Sequence, residues 1–199
     1  MAIRALLASL IAAASLVPAL PLNGQSQSGI YRQWASGTDA PVPASWDQVN
    51  QLQESLVAQG LRVVHSDSCP RGLEGLYDHR IGQVLMCNNT MPNRPENHWN
   101  TLAHESVHVM QICREGSPLS KGLMQLQQRM LSTTPVQEKL HILSSYPPEQ
   151  RLYELEARWV ANTFPPQAVL NLLQSSCANS AARPPTQTLL PTLLSTSGL

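Results

Sequence analysis

The sequence predicts an α+β domain, a small antiparallel sheet of two to four strands followed by a helical half. Three observations predict it. Short β-branched runs bounded by turn residues occur only before residue 90, apolar residues recur at helical spacing from about residue 96 to residue 177, and Pro, Ser and Thr crowd both ends.

The elements follow in chain order. Residues 1–19 have the anatomy of a secretory signal peptide: Arg4 precedes an apolar run from Ala5 to Val17 that ends in small residues. That run falls short of the roughly 20 residues a membrane-crossing helix needs, and no later segment is long or apolar enough. Cleavage after Ala19, or after Ala14, should release a soluble chain without a transmembrane segment, secreted or periplasmic. An uncleaved signal anchor is the competing reading. Residues 20–44 hold Tyr31 and Trp34 but few other large apolar residues, and are expected to form a flexible arm. Residues 45–177 are the expected domain. Residues 178–199, with Pro184, Pro185 and Pro191, are expected to be a disordered tail.

Within the domain, Ser45 is placed to cap a helix through Gln59 that buries Trp46, Val49, Leu52, Leu56 and Val57, with Gly60 as its stop. Leu61 to Ser66 is extended, and Leu73 to Tyr77 with Val84 to Cys87 forms a hairpin turning between Asp78 and Gly82. The strongest helix runs from Glu96 to Cys113, with Asn97 as cap and Trp99, Leu102, Ala103, Val107, Val109 and Met110 as a broad apolar surface. Helical segments follow at Pro118 to Leu131 and Val136 to Leu143. Pro147 and Pro148 then lead into a helix from Glu149 to Asn162, and Pro165 and Pro166 precede a last one ending at Cys177.

Charge and cysteines bound the function. Arg4 leaves with the signal, so 12 basic residues face 13 acidic ones, which excludes the basic footprint of a nucleic-acid binder or a polybasic membrane-surface protein. Four cysteines in an exported chain imply two disulfides, and of the three pairings Cys69–Cys87 and Cys113–Cys177 are favoured. No CxxC spacing supports a zinc ribbon or a redox site.

The chemistry lies in His104-Glu105-Ser106-Val107-His108. Four residues apart on a helix, the two imidazoles share one face and can grip a single ion. Glu105 is turned about 100 degrees away, where it can reach a water on that ion without becoming a ligand. Two histidines and an acid buried in so apolar a helix would cost several kcal/mol unless something satisfies them. A zinc ion, one per chain, does. His65, His79 and His98 lack metal spacing, and Trp99 and Trp159 fall at core positions.

Catalytic zinc takes three protein ligands and a water, so a third ligand is needed. Gln111 and Arg114 stand where a metzincin would have Gly and His, which excludes that class. Tyr153-Glu154-Leu155-Glu156-Ala157-Arg158 supplies two acids on a later helix. Here the chain resembles the gluzincin metallopeptidases, in which an HExxH helix is followed by a helix whose Glu completes the site, often within E-x-x-A-D. Glu154 and Ala157 match that string, whereas Arg158 replaces the Asp that supports a histidine. The resemblance covers these two helices, about a quarter of the chain. Glu154 shares a helix side with the small residues Ala157 and Ala161 and is the favoured ligand. Glu156 is the alternative, or else orients a histidine.

The resemblance implies a compact gluzincin-like fold and a zinc-dependent peptidase acting on peptides or proteins, with Glu105 as general base. It also implies a His, Tyr or Arg at the oxyanion, for which His141, Tyr146, Tyr153 and Arg158 are candidates, and an edge strand, Gln83 to Cys87, that pairs with the substrate. Two other readings compete: a non-catalytic, metal-stabilised extracytoplasmic binding protein, and a helical interaction module without metal.

Overall fold

The computed structural model describes residues 43–178. The expected signal segment, nearly all of the arm and nearly all of the tail lie outside the described residues. Helix α1, Trp46–Ala58, opens with a capping box in which Ser45 Oγ accepts from Gln48 N and Gln48 Oε1 accepts from Ser45 N. It closes at Gly60, whose φ of +88° lets Gly60 N reach Val57 O and Leu61 N reach Leu56 O, while Leu56 and Leu61 are both buried. Val49, Leu52 and Leu56 are buried as expected. Trp46 and Val57 are not: Val57 lies off the buried stripe, and Trp46, in the first turn, rests on the His98 ring at 4.9 Å with 42 % of its surface exposed.

Strands β1 (Arg62–Ser66), β2 (Gly75–Asp78) and β3 (Gln83–Cys87) form one sheet in the order β1-β3-β2. The sheet is mixed rather than antiparallel. β2 and β3 are the expected hairpin, but β1 pairs parallel to β3, with Arg62 opposite Gln83 and Ser66 opposite Cys87. Ser66 and Gly75 both flank the C-terminal end of β3, so residues 67–74 must pass over that end from one side to the other. The Cys69–Cys87 disulfide fastens this crossing. β3 is therefore the central strand and cannot be the substrate-pairing edge; β2 and β1 are the outer strands.

Helix α2, Pro95–Cys113, is buried on most of its circumference, including Trp99, Leu102, Ala103, Val107, Val109 and Met110. It starts at Pro95 after Arg94 rather than on Asn97, since a first-turn proline lacks only an N–H that would have no helical partner. Helix α3, Met124–Thr133, begins later than expected because residues 118–123 form turns with Gly122 at φ +79°. Helices α4 (Val136–Ser145), α5 (Arg151–Thr163) and α6 (Pro166–Cys177) follow. The sheet, α1, α5 and α6 all pack against α2. Cys113 at the end of α2 is bonded to Cys177 at the end of α6, so both expected disulfides are present.

Candidate metal centre

Burial of α2 on three sides leaves His104 and His108 facing α5, with imidazole centroids 4.8 Å apart and Nε2 atoms 3.1 Å apart. Ala157 and Ala161, at most 2 % exposed, present small side chains on α5, and Asn100 donates to Asn162 Oδ1 at 2.6 Å between the two helices. This close approach brings Glu154 over the histidines. Its Oε1 lies 3.3 Å from His108 Nε2 and its Oε2 3.5 Å from His104 Nε2. One ligand atom from each of the three residues falls within 4.8 Å of the others, a spacing one ion can bridge.

The donor set fits a dication. Gln111 Nε2 contacts two acceptors, Tyr153 O at 3.2 Å and Glu156 Oε2 at 2.9 Å, so it is the NH2 end of the carboxamide. Gln111 Oε1 then accepts from His108 Nδ1 at 2.8 Å, leaving a lone pair on His108 Nε2. Glu154 Oε2 is buried and accepts no hydrogen bond. Lone pairs thus converge where protons are too few to satisfy them. Two imidazoles and a carboxylate suit zinc and related first-row ions.

The electrostatics agree. Burial alone would raise the Glu154 carboxyl, but its contacts with His104 and His108 outweigh this and hold it far below the ordinary carboxylate value. Burial would lower His108, yet Glu154, with Glu105 and Gln111, lifts it above the usual imidazole value.

Glu105, 7 % exposed, lies beside this trio rather than in it, on the sheet side of α2. Gly75 of β2 makes the room: a Cβ there would sit 2.5 Å from Thr101 Cγ2 and 3.3 Å from Glu105 Cγ and Oε1. Glu156 is fully buried away from the trio. Its Oε2 accepts from Leu119 N at 2.7 Å and from Gln111, and its Oε1 from Ser120 N at 2.7 Å.

The four oxyanion candidates separate. Tyr153 Oη donates to Gly116 O at 2.8 Å, and His141 is exposed, with Nδ1 3.4 Å from Ser145 Oγ. Arg158 pairs with Glu138 of α4 at 3.0 Å and also bonds the Tyr146 phenol. Tyr146 is the phenol beside the trio: burial first, and then the Glu154 charge, push it above the ordinary tyrosine value. Among the other histidines, His65 contacts Asn88 Oδ1 and Gln53 Oε1, and His98 lies under Trp46.

Gln111 and Gly75 were not legible as site residues. Gln111 has a sequence signal, since it is three positions beyond His108 on one helix face. Gly75 has none. Neither the family profiles nor the curated proteins nor the solved structures compared with this chain contain a match to it.

Proposed function

We propose that the chain is an extracytoplasmic zinc-dependent peptidase. One observation carries the reading: His104, His108 and Glu154 converge on a common point while Glu105, buried beside it, is left out of the ligand set. A site serving stability alone has no use for that fourth group.

His104, His108 and Glu154 would hold a dication, which would supply Lewis acidity toward a water and a peptide carbonyl. Glu105 would take the proton from a water whose oxygen adds to the carbonyl carbon. Breakage of the C–N bond then returns the proton from Glu105 to the departing amine. Tyr146 is the best placed of the four candidates to donate to the developing oxyanion. β2, an outer strand with Gly75 against Glu105, offers its main chain to an extended peptide running past the base. Two disulfides accord with an oxidising compartment, and no described helix is long and apolar enough to cross a membrane.

Purified protein should bind about one zinc per chain, as a single three-ligand site implies. A quenched-fluorescence peptide library should be hydrolysed by the loaded protein. Glu105→Gln should retain the zinc and lose turnover; retained turnover removes Glu105 from the chemistry, and failure to load zinc ends the reading.

A further inference from the structure

Arg158, one turn beyond Glu154 on α5, is engaged by Glu138 on α4 and by the Tyr146 phenol. Three hydrogen bonds converge on the buried Glu156 carboxylate, from Leu119 N, Ser120 N and the Gln111 carboxamide, and all three partners are donors. A group that only accepts dictates which end of Gln111 faces it. The NH2 end must point at Glu156, so Oε1 must point at His108 Nδ1, 2.8 Å away.

We propose that Glu156 and Gln111 are positioning residues, a carboxylate–carboxamide relay that fixes His108 as the Nδ1–H tautomer and aims its Nε2 lone pair at the metal. The inference rests on the metal-site reading above and deepens it, since it says what sets the donor strength of one ligand. Glu156 polarises the carboxamide, Gln111 Oε1 becomes a better acceptor, and the imidazole becomes a stronger donor at Nε2. The geometry is prepared without the ion: His108 Nε2 already faces His104 Nε2 at 3.1 Å and Glu154 Oε1 at 3.3 Å. Both relay residues neighbour ligands in sequence, Gln111 three after His108 and Glu156 two after Glu154, so the helices that bring the ligands bring the relay.

Replacing the carboxylate by an amide weakens the relay, and removing the carboxamide breaks it. In Glu156→Gln a carbonyl at the Oε2 place still accepts from both Leu119 N and Gln111, and only Ser120 N is left facing the new NH2. With Tyr153 O also holding its NH2, Gln111 keeps its orientation but is polarised less, whereas Gln111→Leu removes the acceptor at His108 Nδ1 and lets the proton move to Nε2, where it competes with the metal. Zn2+ affinity, measured by competition with a chromophoric chelator, should fall about 10- to 100-fold in Gln111→Leu and by less in Glu156→Gln.

The first measurement needs no variant. Nitrogen-15 ring spectra of the metal-free wild-type protein at alkaline pH should show His108 as the Nδ1–H tautomer, and an Nε2–H tautomer overturns the relay whatever the variants do. Wild-type Zn2+ affinity in a Gln111→Leu protein that keeps the wild-type melting temperature also overturns it. An Nδ1–H tautomer in a protein that takes up no Zn2+ supports the relay and rejects the peptidase reading instead.

Discussion

Gly75 and Thr101 show how a single missing methyl shapes the centre. The Cβ of an alanine at position 75 would meet Thr101 Cγ2 at 2.5 Å, within the thickness of one strand from Glu105. Gly75→Ala is expected to cost about 1–3 kcal/mol of overpacking, to lower turnover by displacing Glu105, and to leave zinc content unchanged. Adding Thr101→Ala should restore the melting temperature. The two acids of α5 should separate as sharply. Glu154→Ala is expected to lose the metal and keep the fold, whereas Glu156→Ala leaves three buried donors unsatisfied at about 1–3 kcal/mol each and should lower the melting temperature of the metal-free protein. Equal effects on both quantities would contradict the assignment. The histidine pair and Glu154 were legible because spacing on one helix and small neighbours on another are properties of the sequence. The Gly75 contact was not, since it joins residues 26 and 30 positions apart through a sheet whose register the sequence did not disclose.

At the scale of elements, the crossing from β1 to β2 decides which strand borders the centre. Alternation and turn residues located the strands, but pairing direction depends on where residues 67–74 travel, and nothing local distinguishes a return along the same side from a passage over the end of β3. The Pro95 start of α2 was readable from first-turn chemistry. The delayed start of α3 was not, because the Leu119 and Ser120 amides are held by Glu156, 36 or more residues away. The disulfides fasten different elements and should fail differently. Cys69–Cys87 closes a short loop, 18 residues, that seats β2 at Gly75, and Cys113–Cys177 spans 64 residues between the ends of α2 and α6. Loop entropy alone assigns them about 3 and about 4 kcal/mol respectively. Removal of Cys113–Cys177 by paired serines should therefore lower the denaturation midpoint more, while removal of Cys69–Cys87 should lower turnover more for the same loss of stability. The reverse ranking would show that β2 does not organise the site.

For the whole molecule, the ligands come from two helices that meet only in the folded state, α2 from the centre of the fold and α5 from its helical half. An ion held by both binds the native chain and not the unfolded one, so loading is a stability measurement. At free zinc 100 times the dissociation constant the linkage adds about 2.7 kcal/mol. The rise in melting temperature should disappear in His104→Ala and Glu154→Ala and persist in Glu105→Gln, which separates holding the ion from using it. Its pH dependence has a definite sign. In the metal-free protein His108 is lifted by Glu154, so its proton contributes stability below the unfolded imidazole value, and that contribution is lost as pH rises through the higher folded value. The same proton competes with the ion for Nε2. Across that interval the metal-free melting temperature should fall while the increment on adding zinc grows. Two parallel curves would mean that His108 gives up no proton to the ion, and a constant increment in Glu154→Ala would place the ion elsewhere.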